Sequence, residues 1–509
     1  ALLFYDEHTF GAAESISDPM AENSMVQWGE KSSYVWEAVK KEGLLREEAF
    51  GFLQPLMPRT NIPTLAVFNT MSWQRSGLVE VFIDDEVLPR ENEFRIVDIT
   101  TGEEIPAQAI KSRTEGTYWA LWAKDIPPLG YKIFSIETSE NQKIPLTKID
   151  SKKIEFENEY YTLKIDSTTG ALSSLFDKEL NSELVDQNSE WDLGQYIYEK
   201  LHTKRDFNKE AFERSSLKNV KVGHVSEGSI WKSLHISADA EGCDEREGIK
   251  IEIRLYQVEK KIELLFQMRK KRIYDSEACY VAFPFNLPDG KIVYEAQGGL
   301  VTPGETQLPG SSSDWQTVQN FVTIQNTKGQ VIFGSSQVPL VQFSDFNLGK
   351  WQYLTEIEKP YVFSWVMNNY WYTNFRASQE GEFRWSYYLT SNKRQSNLEA
   401  LHFAMNSNTP LVPRVLPAGK EGNKAANGST LNLDAPNVVL ISSRPSYYDN
   451  SIILHLREVE GESTTLSLTD QIKNLKSIDE VNVIEELIKK GINEIKFEPF
   501  DVKFIRLKL

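Results

Sequence analysis

Lys250-Ile251-Glu252-Ile253-Arg254-Leu255-Tyr256 and Ile262-Glu263-Leu264-Leu265-Phe266-Gln267-Met268 alternate apolar with polar residues, placing Ile262, Leu264, Phe266 and Met268 on one face. Successive side chains of an extended strand point to opposite sides, so this period of two marks strands buried on one face. The pattern continues in both directions. Toward the N-terminus, Lys153 to Asp166 alternates, Ser167-Thr168-Thr169-Gly170 forms a turn, and Ala171 to Phe176 resumes the strand. Toward the C-terminus, strand signals persist through Trp385 to Leu389. A large antiparallel super-sandwich over residues 151–415 is the economical expectation.

Smaller modules flank it. Thr64–Asn69, Gly77–Ile83, Thr117–Trp122 and Tyr131–Ile136 read as strands of a small β-sandwich over residues 61–150, closed by a polar linker from Glu137 to Asp150. A loop around Ala418 to Ser429 precedes a C-terminal β-sandwich, residues 416–509, with strands at Val438–Ile441, Ser451–Leu456 and Val502–Leu507. Residues 1–60 form a helical segment. There Met25, Trp28, Val35, Trp36 and Val39 recur at steps near 3.6, and Gly43 is expected to break the helix before a second face of Leu44, Leu45, Ala49, Phe52 and Leu53. Pro55, Pro58 and Pro63 then stop it. The fold class is mainly β: a short helical segment followed by several antiparallel sandwiches.

A length of 509 residues predicts roughly three or four modules at about 150 residues each. The 73 acidic residues outnumber the 56 basic ones, and a net charge of −17 repels nucleic acid and anionic membrane surfaces. Cys243 and Cys279 offer neither a disulfide framework nor a metal-ligand spacing. No apolar run approaches the roughly 20 residues of a membrane span. Ala1 follows no methionine, so the chain reads as beginning at a cut edge, and targeting information is not visible. The 12 Trp and 20 Tyr in a strand-rich chain fit sugar handling, because a flat ring stacks on the apolar face of a pyranose, and equally fit sandwich cores.

Near the start, Asp6-Glu7-His8-Thr9-Phe10-Gly11-Ala12 sets two carboxylates beside an imidazole, where they would raise its basicity or share a divalent cation with it. A solvated helix end is the plainer reading. None of the other histidines, His202, His224, His235, His402 and His455, has a metal-ligand spacing, and His235 and His402 sit in apolar surroundings that suit packed or surface side chains. Glu277, flanking the apolar run Ala278 to Phe285, is either at a strand mouth or paired with a neighbour such as Arg269 or Arg272. Two loops gather groups suited to sugar hydroxyls: Asp314, Trp315 and Gln316 after a Gly-Ser run, and Asn368-Asn369-Tyr370-Trp371-Tyr372-Thr373-Asn374-Phe375-Arg376. Loops capped by Asn and pinned by rings would look the same.

In order along the chain, the Asp6–Ala12 segment, the helical pair, Phe68-Asn69-Thr70-Met71-Ser72-Trp73, Phe156-Glu157-Asn158-Glu159-Tyr160-Tyr161 leading to Gly170-Ala171-Leu172, the Glu277 to Phe285 strand and Asn368 to Arg376 resemble glycoside hydrolase family 38, the α-mannosidases, in its bacterial branch. The resemblance implies the C-terminal part of such an enzyme, without the N-terminal domain that carries a His-x-Asp zinc pair and the nucleophile; no His-x-Asp occurs in this chain. It further implies a galactose-mutarotase-like super-sandwich, with the late zinc ligand at His8, Asp6 being the alternative, and Glu7 as an acceptor either for a sugar hydroxyl or for a group that supports the zinc ligand. Asp314, Trp315, Asn369, Tyr370, Trp371 and Arg376 are the candidate substrate neighbours. On this reading the whole enzyme is a retaining, Zn2+-dependent glycosidase of the bacterial cytoplasm that removes terminal α-linked mannose from oligosaccharides, and this chain alone is inactive with an incomplete zinc site. Partners are a mannose-containing oligosaccharide and, for assembly, a homodimer; nucleic acid and membrane are not expected. The alternatives are a non-catalytic carbohydrate-binding β-sandwich protein and a related hydrolase acting on mannosyl-glycerate or another α-glycoside.

Overall fold

The structure, a computed structural model, describes residues 2–6, 10–90, 92–142, 154–203, 207–208, 211–420, 425–468, 472 and 475–508. The chain forms two compact units. The first comprises residues 1–55, 147–227 and 231–395, the second residues 56–146, 228–230 and 396–509.

In the first unit the helical segment is one continuous helix, Glu22–Leu53, followed by a single 3-10 turn, Gln54–Leu56. The break expected at Gly43 does not occur. A glycine inside a helix costs only about 1 kcal/mol relative to alanine, and Lys40, Lys41, Glu42, Leu44, Leu45 and Arg46 around it are all strong helix formers. Glu37 and Lys41, four residues apart with the acid first, add a favourable pair at 3.5 Å. The prolines end the helix where the sequence places the stop. Trp36, Val39, Leu44, Leu45 and Phe52 along it are exposed.

Three antiparallel sheets complete this unit. The nine-stranded sheet runs, in spatial order, Lys218–Glu227, Trp231–Asp239, Ile249–Tyr256, Ile262–Lys270, Gly381–Asn392, Gly329–Gly334, Val322–Asn326, Lys291–Ala296 and Gly299–Val301. A six-stranded sheet takes Phe212–Ser215, Gln195–Leu201, Glu277–Pro284, Tyr361–Asn368, Leu340–Phe343 and Gln316–Thr317. A four-stranded sheet of residues 155–183 is the third. Ile262, Leu264, Phe266 and Met268 are each at most 2% exposed and lie in one core with Val281, Phe283, Trp385 and Tyr387. The alternation legible in the sequence is therefore the core face of the central strands.

The second unit is built from the small sandwich and the C-terminal strands. Thr64–Asn69 lies between Gly130–Gln142 and Val412–Leu416, opposite a three-stranded sheet of Arg75–Asp84, Gly116–Ile126 and Ala107–Ser112. The division expected at 415–416 cuts the end of Val412–Leu416, because this strand pairs with Thr64–Asn69. A five-stranded sheet around Ser451–Glu458 and Val502–Lys508 forms the last core.

Helix Asn397–Asn408 belongs to this unit. It begins at Ser396, whose hydroxyl accepts from the amide of Glu399 at 3.1 Å, a capping arrangement written in Ser396-x-x-Glu399. Its His402 stacks on Trp73 at 4.1 Å, and burial pulls the imidazole pKa from 6.5 down to about 4. The folded chain thus takes up this proton less readily than the unfolded one. Stability present above pH 6.5 is expected to be lost as pH falls through that window, by about 3 kcal/mol in total. Thermal melting near neutrality and near pH 4 checks it, since His402→Gln should flatten this part of the profile.

Candidate functional site

The strand Tyr361–Asn368 sends Val362 and Ser364 toward the main core and Phe363 and Trp365 to the opposite side. Its neighbour Glu277–Pro284 is buried along its whole length. Cys279, Val281 and Phe283 join the main core, whereas Ala278, Tyr280 and Ala282 face a second, aromatic cluster. Small alanines on either side of Tyr280 leave space for rings. Tyr280 stacks with Trp365 at 5.9 Å, and Phe346 meets Tyr280 edge-on at 5.0 Å.

A carboxylate is sealed into this layer. Glu199, 1% exposed, faces it from strand Gln195–Leu201 between Ile197 and Leu201. A buried charge needs close partners. Arg214 Nε donates to Glu199 Oε2 at 2.6 Å, and the Tyr370 hydroxyl donates to Oε1 at 2.6 Å. The Arg214 guanidinium also lies 3.8 Å from the centre of the Phe346 ring.

The loop after Asn368 is fixed by its first two residues. Asn369 Oδ1 accepts from the amide of Glu277 at 2.7 Å, and its Nδ2 donates to the carbonyls of Asp275 and Ala377 at 2.9 and 3.0 Å. Tyr370 is 1% exposed. Both side chains therefore spend their polar atoms inside the protein. Trp371 is half-buried, 5.9 Å from Trp315 and 6.5 Å from Phe375, and Trp315 lies 5.6 Å from Trp365. The two candidate loops thus meet through Trp315 and Trp371. Asp314, beside them in sequence, is half-buried, and burial raises its carboxyl pKa. Its Oδ1 has no hydrogen-bond partner among the described residues.

The structure also brings the N-terminal segment to this loop. Thr373 Oγ1 donates to the carbonyl of Ala13 at 2.8 Å and the amide of Asn374 to that of Ala12 at 3.2 Å. A Cβ on Gly11 would stand 3.2 Å from the carbonyl oxygen of Asn374, so a larger residue would push the two backbones apart. Phe10 packs on Trp28 at 5.4 Å and Phe375 at 6.3 Å. Asp6 is exposed, and its amide donates to the carbonyl of Leu2 at 3.1 Å. Glu7 and His8 lie outside the described residues. Arg376 pairs with Glu380 at 3.1 Å and sits over the Trp28 ring at 5.1 Å. Glu380 takes Arg272 as well, at 2.8 Å.

Glu277 is paired, but with neither neighbour expected from the sequence. Its Oε1 lies 2.6 Å from Lys270 Nζ, and Tyr198 donates to its other oxygen. Strand alternation explains the partner: Lys270 points inward with Met268, whereas Arg269 points out to Glu247. Cys243 and Cys279 are buried and free, and burial pushes their thiols up to about 11 and about 12. Among the described residues no group of three or more His, Cys, Asp or Glu side chains is placed to hold a metal ion. The buried Glu199 and Trp365 and the half-buried Arg214 were not singled out in the sequence. A lone acid within the apolar run Tyr196-Ile197-Tyr198-Glu199 is the signal by which one of them could have been found.

Residues 156–334 match the model of the glycosyl hydrolases family 38 C-terminal domain. An α-mannosidase from Enterococcus faecalis V583 superposes with a TM-score of 0.71 and 14% identity, over 95% of this chain and 60% of that one. A protein in the glycosyl hydrolase family 38 from Enterococcus faecalis gives 0.70 and 14%, over 96% of this chain and 63% of that one. The chain thus spans about three fifths of the length of these two proteins. At such identity the likeness is one of fold. No curated protein sequence matches the chain. Among the described residues no helix is long and apolar enough to cross a membrane. With the domain match inside a fold likeness that covers nearly all of it, this chain resembles the C-terminal part of a glycoside hydrolase family 38 α-mannosidase.

Proposed function

We propose that the chain is the β-rich part of a retaining, zinc-dependent glycosidase that removes terminal α-linked mannose from oligosaccharides. The observation that carries this reading is the family 38 C-terminal domain match over residues 156–334, which contains Glu199, Arg214 and Trp315 of the aromatic layer. In a retaining enzyme two carboxyl groups about 5–5.5 Å apart act as nucleophile and acid/base. This chain's part is to bind and orient. Trp315 and Trp371, both half-buried, offer rings for the apolar face of a pyranose, and Asp314 stands next to Trp315 in the chain. The zinc assignment rests on the resemblance, with His8 or Asp6 as this chain's contribution. So does placement in the bacterial cytoplasm, a reducing compartment with which two free cysteines are compatible.

The test is hydrolysis of p-nitrophenyl α-mannoside by the protein purified from its source, with the anomer released first followed by NMR and with a zinc chelator as the second arm. α-Mannose released first and loss of turnover with chelator support the reading. β-Mannose first, or sugar binding without turnover, overturns it. Trp371→Ala is expected to raise KM about two- to tenfold, taking ring stacking to contribute about 0.5–1.5 kcal/mol. This chain by itself is expected to release no p-nitrophenol.

A further inference from the structure

The nine-stranded sheet has a second face, turned away from its core, and five neighbouring strands bring their outward side chains into register there. One row reads Lys221, Ser237, Lys250, Gln267, Arg384, each directly opposite the next across the antiparallel pairs. The adjacent row is His235, Glu252, Leu265, Ser386. Together they line a cavity of about 700 Å³. That volume is within the range of ligand pockets, about 300–1,000 Å³.

Charge in this groove runs against the protein's balance. The chain carries −17 overall, yet three cations stand in one row separated by neutral hydrogen-bonding groups. Lys221 and Lys250 are exposed, and neither has an ion-pair or hydrogen-bond partner among the described residues. Arg384 lies 2.5 Å from Glu382, which also accepts from Gln267 at 3.0 Å. Glu252, the acid in the lining, is held by Arg254 at 2.8 Å. With neighbouring strands about 4.8 Å apart, cations on alternate strands recur about every 10 Å. That is the repeat of one disaccharide.

We propose that this groove binds an acidic oligosaccharide, one with a uronic acid at every second sugar, lying across the strands. Its carboxylates meet Lys221, Lys250 and Arg384. Ser237 and Gln267 face the intervening sugars, and Leu265 gives their C–H faces an apolar patch. Nucleic acid fits less well. Its phosphates recur about every 3.4 Å along a strand, and the indole and phenyl rings in the lining, Trp385 and Phe266, are buried in the core rather than free to stack on bases.

Calorimetric titration of the full chain tests the groove without any need for hydrolysis. The probes are a hexasaccharide of alternating glucuronate and N-acetylglucosamine, the neutral hexasaccharide of mannose, and a single-stranded DNA hexamer. The acidic hexasaccharide is expected to bind at least tenfold more tightly than the other two, with affinity falling as salt rises. Lys250→Gln should weaken it about tenfold, Lys221→Gln about fivefold, and Lys250→Arg should restore most of the loss. These side chains are exposed, and an unchanged melting temperature confirms that the variants fold. No binding of the acidic hexasaccharide, equal binding of the neutral glycan or of the DNA, or an affinity unmoved by Lys250→Gln overturns the proposal.

Discussion

Replacing Lys270 by methionine is expected to destabilise the unit that contains residues 231–395 by about 3–5 kcal/mol, the cost of stranding one half of a buried ion pair. The Lys270 side chain is fully enclosed, and its ammonium lies 2.6 Å from Glu277, whose side chain is 6% exposed. Burial raises the Glu277 pKa above its usual 4.5, and Lys270 and Tyr198 pull it back. Without the ammonium the Tyr198 hydroxyl is, among the described residues, what remains to support the charge. The carboxyl must then either stay ionised without a counterion or take up a proton. At pH 8 that proton is costly to bind, because the carboxyl of the unfolded chain is ionised; near pH 5 it costs little. The deficit of Lys270→Met should therefore be larger at pH 8 than at pH 5. Adding Glu277→Gln removes the stranded charge and should recover at least half of the loss. Urea unfolding of the single and double variants at both pH values decides it, and an equal deficit at the two would refute the charge-based account.

What could be read from the sequence follows the range of the forces involved. Ile262, Leu264, Phe266 and Met268 were legible as a buried face because alternation is local, and the structure buries all four. The neighbour of that strand was not, since Ile262–Lys270 pairs with the distant Gly381–Asn392. Gly43 looked like a break because glycine disfavours helix, but one weak residue among strong helix formers does not end a 32-residue helix. Helix Asn397–Asn408 was missed although Ser396 and Glu399 write its cap. Its apolar face, Ala400, Leu401, Phe403 and Ala404, does keep helical steps but covers little more than one turn, too short a window to stand out among strand signals.

The site was legible in its materials rather than its geometry. Trp315 and Trp371 were recognised as rings in separate loops, and only the fold brings them to 5.9 Å. Asn369 was read for its amide chemistry, which is real but directed at backbone groups. Glu199 escaped notice because an acid gains significance from being sealed among aromatics, and that sealing comes from residues far away in the chain.

Tyr370 separates a pin from a substrate contact. Tyr370→Ala is expected to cost about 3–5 kcal/mol, because it removes a buried ring and leaves a cavity among Phe207, Phe212 and Trp365, whose ring centres lie 6.4, 6.4 and 6.5 Å away. Tyr370→Phe keeps the ring and deletes the hydroxyl that supports Glu199. Burial and the Glu199 charge both hold that hydroxyl protonated, so it acts as a donor to the carboxylate throughout the working pH range. Losing it should cost about 1.5–3 kcal/mol, the value of a hydrogen bond to a buried charge. Arg214 remains on the other oxygen and keeps the loss below that of a fully stranded ion. If Tyr370 is a pin, Tyr370→Phe lowers stability and leaves KM for an α-mannoside nearly unchanged, whereas Trp371→Ala does the reverse. If Tyr370 touches the sugar, Tyr370→Phe raises KM at unchanged melting temperature. With its hydroxyl 2.6 Å from Glu199 and its ring 1% exposed, the first outcome is the expected one. Tyr370 then holds the start of the loop that carries Trp371 through its buried bond to Glu199, without a contact of its own to a ligand.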